Sequence, residues 1–165
     1  MGTRLCECIA TGAGRGRVRA ALRLNSQFRD AHYNLGLLFL KQNRLDEAKA
    51  QFRAELAIDP GNLKSRYDLA VALLHTNETS AGIAELGQVL AVQPKNADAN
   101  YEYGKAELGA GNVRGAIEHL ELAALASPAK PYVHYQLGRA YLRAGRAGDA
   151  NREFAKVKAL RGMGK

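Results

Sequence analysis

Apolar side chains recur at helical spacing along most of the chain, and from Arg29 onward the pattern repeats every 34 residues. Leu35, Phe39 and Gln42 follow i, i+4, i+7, and Tyr33, Leu37 and Leu40 make a second stripe on the same stretch. Two stripes on one helix predict packing on more than one side. Asn43, Asn77, Gly111 and Gly145 stand where each such stretch ends. These residue types tolerate the left-handed backbone that closes a helix. A second helix is predicted over Leu45–Ile58, with equivalents near 79–92, 113–126 and 147–160. Pro60, Pro94 and Pro128 stop the first three, because proline cannot continue the hydrogen-bond ladder.

The unit is thus a helical hairpin, and small residues set how closely its helices approach. Gly36, Ala70, Gly104 and Gly138 share one column. Ala48, Gly82, Ala116 and Ala150 share another, and Phe52, Leu86, Leu120 and Phe154 fill a third. Small must face large when interiors tolerate few voids. The units expected are 29–62, 63–96, 97–130 and 131–160. Residues 1–16 form a glycine-rich, degenerate start, 17–28 match the second helix of an earlier partial unit, and 161–165 form a frayed tail. In the fourth unit Lys158 replaces the column Leu22, Leu56, Leu90, Ala124, and Asn151 replaces Ile83 and Ile117. That change predicts a polar outer face suited to a terminal cap.

The period, the hairpin and the pattern L-G-x-x-F…A-x-x-x-F…P over residues 35–60 resemble the tetratricopeptide repeat. The resemblance implies an all-α fold, a right-handed α-α superhelix of four helix-turn-helix repeats with a partial one before them. Three positions depart from the family pattern. The usual tryptophan slot holds His32, Arg66, Asn100 and His134; Glu55 stands where a small residue is usual; and Glu107 replaces the aromatic seen at Phe39 and Tyr141. Glu107 needs an arginine or solvent beside it.

By that resemblance the first helices line a concave groove that holds a peptide or helix from a partner protein. The groove residues are Tyr33, Asn34, Leu37, Tyr67, Asp68 and Val71, then Tyr101, Glu102, Lys105, Tyr135, Gln136 and Arg139. Two roles are open to the tyrosine column: rigid amphipathic contacts for a partner, or a ladder that packs successive first helices. A carboxylate clamp of the Lys, Asn, Asn, Lys, Arg type is rejected, because its slots hold Tyr33, Leu37, Asp68, Asp98 and Glu102 in one register and Tyr67, Val71, Glu102, Tyr132 and Gln136 in the next. The expected function is a non-enzymatic scaffold or adaptor; the alternatives are a self-assembly module, associating through the N-terminal helix, or the recruiting segment of a larger protein.

Charge and composition narrow the chemistry. The net charge of +8 is concentrated at the ends, with about +4 in residues 1–28 and +6 in 131–165. Basic clusters bind phosphates, but aromatics are not interleaved with these, so specific nucleic-acid binding is not expected. His32 and His134 share a column three units apart while His75 and His119 do not, so no metal site is expected. Cys6-x-Cys8 lacks a second pair, TGAGRGR lacks a phosphate-loop lysine, and no G-x-S-x-G occurs; neither catalysis nor a cofactor is expected. No apolar run reaches the roughly 18 residues of a membrane span, which favours a cytoplasmic protein.

Overall fold

The computed structural model describes residues 30–162, and every regular element among them is an α-helix. These are α1 (Ala31–Lys41), α2 (Leu45–Ile58), α3 (Leu63–His75), α4 (Thr79–Val92), α5 (Ala97–Ala110), α6 (Val113–Ala126), α7 (Pro131–Arg143) and α8 (Ala147–Gly162). The expectations for 1–16 and 17–28, and for the last three residues of the tail, lie outside the described residues. The chain divides into two compact units between Gly82 and Ile83, within α4.

Local chemistry sets the helix ends. Asn43, Asn77, Gly111 and Gly145 all have positive φ, at 56°, 62°, 91° and 73°. After each, the next residue's amide reaches back to a carbonyl one turn earlier: Arg44 to Phe39, Glu78 to Leu73, Asn112 to Glu107 and Arg146 to Tyr141, all at 2.9 Å. This is the Schellman closure, which satisfies carbonyls that a helix end would leave bare. Asn62, Asn96 and Asn112 cap α3, α5 and α6 through their side-chain oxygens. α8 continues through Gly162, past the expected end at 160.

In the first unit, Leu35, Phe39, Ala48, Phe52, Leu69 and Leu73 form one core. A Cβ on Gly36 would lie 2.5 Å from the Phe52 ring, so glycine is what lets α1 and α2 meet. In the second unit, Leu108, Ala116, Ile117, Leu120, Leu137, Ala140, Tyr141 and Ala150 form another core, with Tyr101, Val113, Ala124 and Phe154 packed against it. There Gly138 faces Phe154 as Gly36 faces Phe52, at 2.6 Å.

Two of the departures gain a structural reason. Glu55 is fully buried, and its two carboxylate oxygens accept the amides of Asp30 (2.9 Å) and Tyr33 (3.1 Å), so it caps α1 from the facing helix. Glu107 is half-buried, and an asparagine meets it in place of the anticipated arginine. One of its oxygens accepts from Asn112 at 2.9 Å, while the other is buried without a hydrogen-bond partner. Gly115 makes room for that carboxylate, since a Cβ there would lie 2.1 Å from it.

Candidate functional site

In three of the hairpins the tryptophan slot is filled by one member of a polar pair that bridges the two helices over a spacing of 19 residues. His32 Nδ1 lies 2.8 Å from Gln51 Oε1, His119 Nδ1 2.8 Å from Asn100 Oδ1, and His134 Nδ1 2.6 Å from Glu153 Oε2. The slot residue also reaches the proline carbonyl six residues before it. Arg66 and Asn100 donate to Pro60 and Pro94 at 2.8 and 2.9 Å, and His134 Nε2 lies 2.9 Å from the Pro128 oxygen. Buried polar groups need such partners, and here they tie the second helix and the inter-hairpin loop to the first helix. His119 lies against Tyr103, with ring centroids 4.2 Å apart, and burial pushes its imidazole below the usual range. His32, His119 and His134 are therefore architectural. Among the described residues no group of three or more His, Cys, Asp or Glu could hold a metal ion.

The opposite faces of the first helices carry the expected groove residues. In the first unit, Tyr33, Asn34 and Leu37 on α1 and Tyr67, Asp68 and Val71 on α3 are all half-buried. The Tyr33 hydroxyl hydrogen-bonds the Asp68 carboxylate. Burial pushes that carboxyl above its usual range, and the tyrosine bond opposes this only in part. In the second unit, Tyr101 bonds the Gln136 amide and meets Tyr132 edge-on, with ring centroids 4.8 Å apart. Lys105 pairs with Glu102 at 2.7 Å and lies 5.5 Å from the Tyr101 ring centre. Arg139 donates to Gln136 at 3.2 Å. Tyr33 and Tyr101 thus do pack first helix onto first helix, and within each unit the ladder is real.

Tyr135 differs. It is 46% exposed, as are Tyr132 (43%) and Leu142 (51%) on the same helix. Tyr132 breaks the column Asp30, Lys64, Asp98, so repeat phase gave no sign of it. The outward columns of α8 are exposed and polar at Asn151 and Lys158, but the α7 side is apolar at Tyr135 and Leu142. The polar residues expected on the outer face, Asn151 and Lys158, are exposed, and Tyr135 and Leu142 add apolar positions beside them: in the preceding hairpin Tyr101 and Leu108 are covered by α7, and no described element takes that place over α7.

A tetratricopeptide repeat model matches residues 39–108 and a second one matches 12–62, so between them they span more than half of the sequence. The chain belongs to the tetratricopeptide repeat family. Among solved structures, it is similar to a MamA fragment from Desulfovibrio magneticus RS-1, at 22% identity over 96% of this chain and 92% of that one, with a TM-score of 0.88. A MamA RS-1 double mutant aligns at 21% identity over 99% and 93%, with a TM-score of 0.91. YrrB, described as a TPR protein with an unusual peptide-binding site, aligns at 18% identity over 89% and 76%, with a TM-score of 0.79. These likenesses are of fold, and they establish the all-α tetratricopeptide repeat architecture. No curated protein matches the sequence. Among the described residues no helix is long and apolar enough to cross a membrane.

Proposed function

We propose that this tetratricopeptide repeat chain is a non-catalytic adaptor that binds a partner polypeptide along the accessible faces of its first helices. One observation carries the reading. None of the twelve groove residues is buried, whereas their helix neighbours Leu35, Gly36, Leu69, Ala70, Gly104, Leu137 and Gly138 all are. Tyr33, Leu37 and Tyr101 pack in part against the cores, yet each first helix keeps the rest of this face accessible. The reachable faces carry tyrosine, Leu37, Val71 and Asp68 in the first unit and tyrosine, Glu102, Lys105 and Arg139 in the second, and each suits a ligand with an apolar stripe and mixed charge. The peptide-binding site named for YrrB supports a polypeptide ligand on this fold.

The test is affinity capture from the source cell with wild type, Leu37→Asp/Val71→Asp, and Arg114→Ala as a control on an exposed second-helix position away from these faces, with a thermal melt to check that each variant is folded. Loss of a defined set of proteins with the first variant only is expected. An identical set from all three overturns the reading.

A further inference from the structure

The α7–α8 side, which no described element covers, has a described counterpart one hairpin earlier. On α5, Tyr101, Lys105 and Leu108 stand at i, i+4, i+7, and α7 lies over that side: Tyr132 stacks on Tyr101, and Leu108 is 3% exposed in a core shared with Leu137 and Tyr141. On α7, Tyr135, Arg139 and Leu142 repeat the same spacing, about two helical turns along the axis, with the outer two 46% and 51% exposed. The backbone site for one more helix is repeated, and an apolar pair of this kind marks an interaction surface.

The charges differ between the two sites, and the difference selects the occupant. Lys105 is neutralised within its own helix by Glu102. Its counterpart Arg139 has Gln136 in that place and only a 3.2 Å hydrogen bond to it. Tyr135 meets Phe154 of α8 with ring centroids 6.0 Å apart, and one turn on α8 presents the exposed Lys158, with Arg161 exposed after it, where the column of Lys158 is Leu56, Leu90 and Ala124 in the other repeats. Arg139, Lys158 and Arg161 have no carboxylate within ion-pair distance among the described residues. A seventh-residue apolar pair flanked by uncompensated cations is complementary to one amphipathic shape.

We infer that the α7–α8 side of the last hairpin docks an acidic amphipathic helix from a partner protein, its apolar face on Tyr135 and Leu142 and its carboxylates on Arg139 and Lys158. The inference rests on the reading of the first helices as a protein-binding surface and adds the partner's chemistry at one end of it.

The experiment uses the full chain and two labelled helical peptides with the same leucine stripe, one with glutamate and one with lysine on the polar face, in fluorescence anisotropy at low salt. The acidic peptide should bind more tightly by about tenfold, as expected for two exposed ion pairs. Arg139→Glu/Lys158→Glu should reverse the preference, and Leu142→Asp should abolish binding of both peptides. All three positions are exposed, and a thermal melt checks that each variant is folded. Equal affinity for the two peptides, no binding of either, or a preference that survives charge reversal would overturn the inference. Leu37→Asp/Val71→Asp is the arm that separates the two readings: its capture result can stand while the peptide preference fails, and the reverse.

Discussion

Glu55 Oε1 accepts the amide of Asp30 at 2.9 Å across 25 residues of sequence, and Asp30 itself sits in the left-handed region at φ 65°. The bond joins the start of α1 to the last turn of its partner helix α2, and Glu55 Oε2 adds a second at Tyr33. A buried carboxylate on a helix N-terminus is stabilised by the peptide dipoles and by the otherwise unpaired amides. Glu55→Ala should therefore destabilise the protein by about 1–3 kcal/mol, although alanine suits the family pattern at this position. Urea unfolding followed by circular dichroism measures it, and an unchanged midpoint would remove the cap from the account.

Gly138 and Phe154 are set against each other more tightly than any methyl group allows, at 2.6 Å from a built Cβ to the ring. Gly138→Ala should cost about 1–3 kcal/mol by overpacking. Phe154→Ala alone should cost about 3–5 kcal/mol through its cavity. The double variant should fall short of the sum, because the added methyl occupies part of the space the ring leaves. Strict additivity in a double-mutant cycle would show that the two side chains do not share that space.

Much of this packing was legible from residue columns. The left-handed turns at Asn43, Asn77, Gly111 and Gly145, the glycine–phenylalanine contacts and the hairpin order follow from local preference and period, which a single strand of text preserves. The polar bridges were not. His134 and Glu153 stand 19 residues apart in the sequence, yet nothing in that spacing says their side chains meet until the crossing of α7 and α8 is known. The candidate surface was half legible: the accessible face was predicted, but the division between Tyr101, spent on packing, and Tyr135, left open, depends on which helix covers which.

The His134–Glu153 bridge gives stability a pH dependence of fixed sign. Burial alone would raise the Glu153 carboxyl, but hydrogen bonds from Lys156 and His134 outweigh it and hold the group below its ordinary value of 4.5. Its contribution is complete above that ordinary value and is lost as pH falls through the lowered one. Glu153→Gln should thus be less stable than wild type near neutrality, with the gap closing below about pH 4. Unfolding free energies measured across that range check this; a gap that widens on acidification contradicts it.

Tyr141 should ionise late, above the ordinary tyrosine value of 10.0. Burial and its 2.6 Å hydrogen bond to Glu121 push its hydroxyl up to about 12. The bond's contribution is present below the ordinary value of 10.0 and disappears as pH rises through about 12. Spectrophotometric titration should show a late phase that Tyr141→Phe removes. A phase unaltered by that substitution would assign it to another tyrosine.

Hairpins of one length and one backbone are interchangeable parts, and a chain made of them can fold onto the wrong neighbour. The bridging pairs differ from hairpin to hairpin: imidazole with amide at His32 and Gln51, amide with imidazole at Asn100 and His119, imidazole with carboxylate at His134 and Glu153. Exchange of α6 for α8 would set His119 against His134, ring against ring, with the Glu153 charge left stranded. Three hairpins in this way carry bridges of different chemistry, which disfavours exchange of one second helix for another.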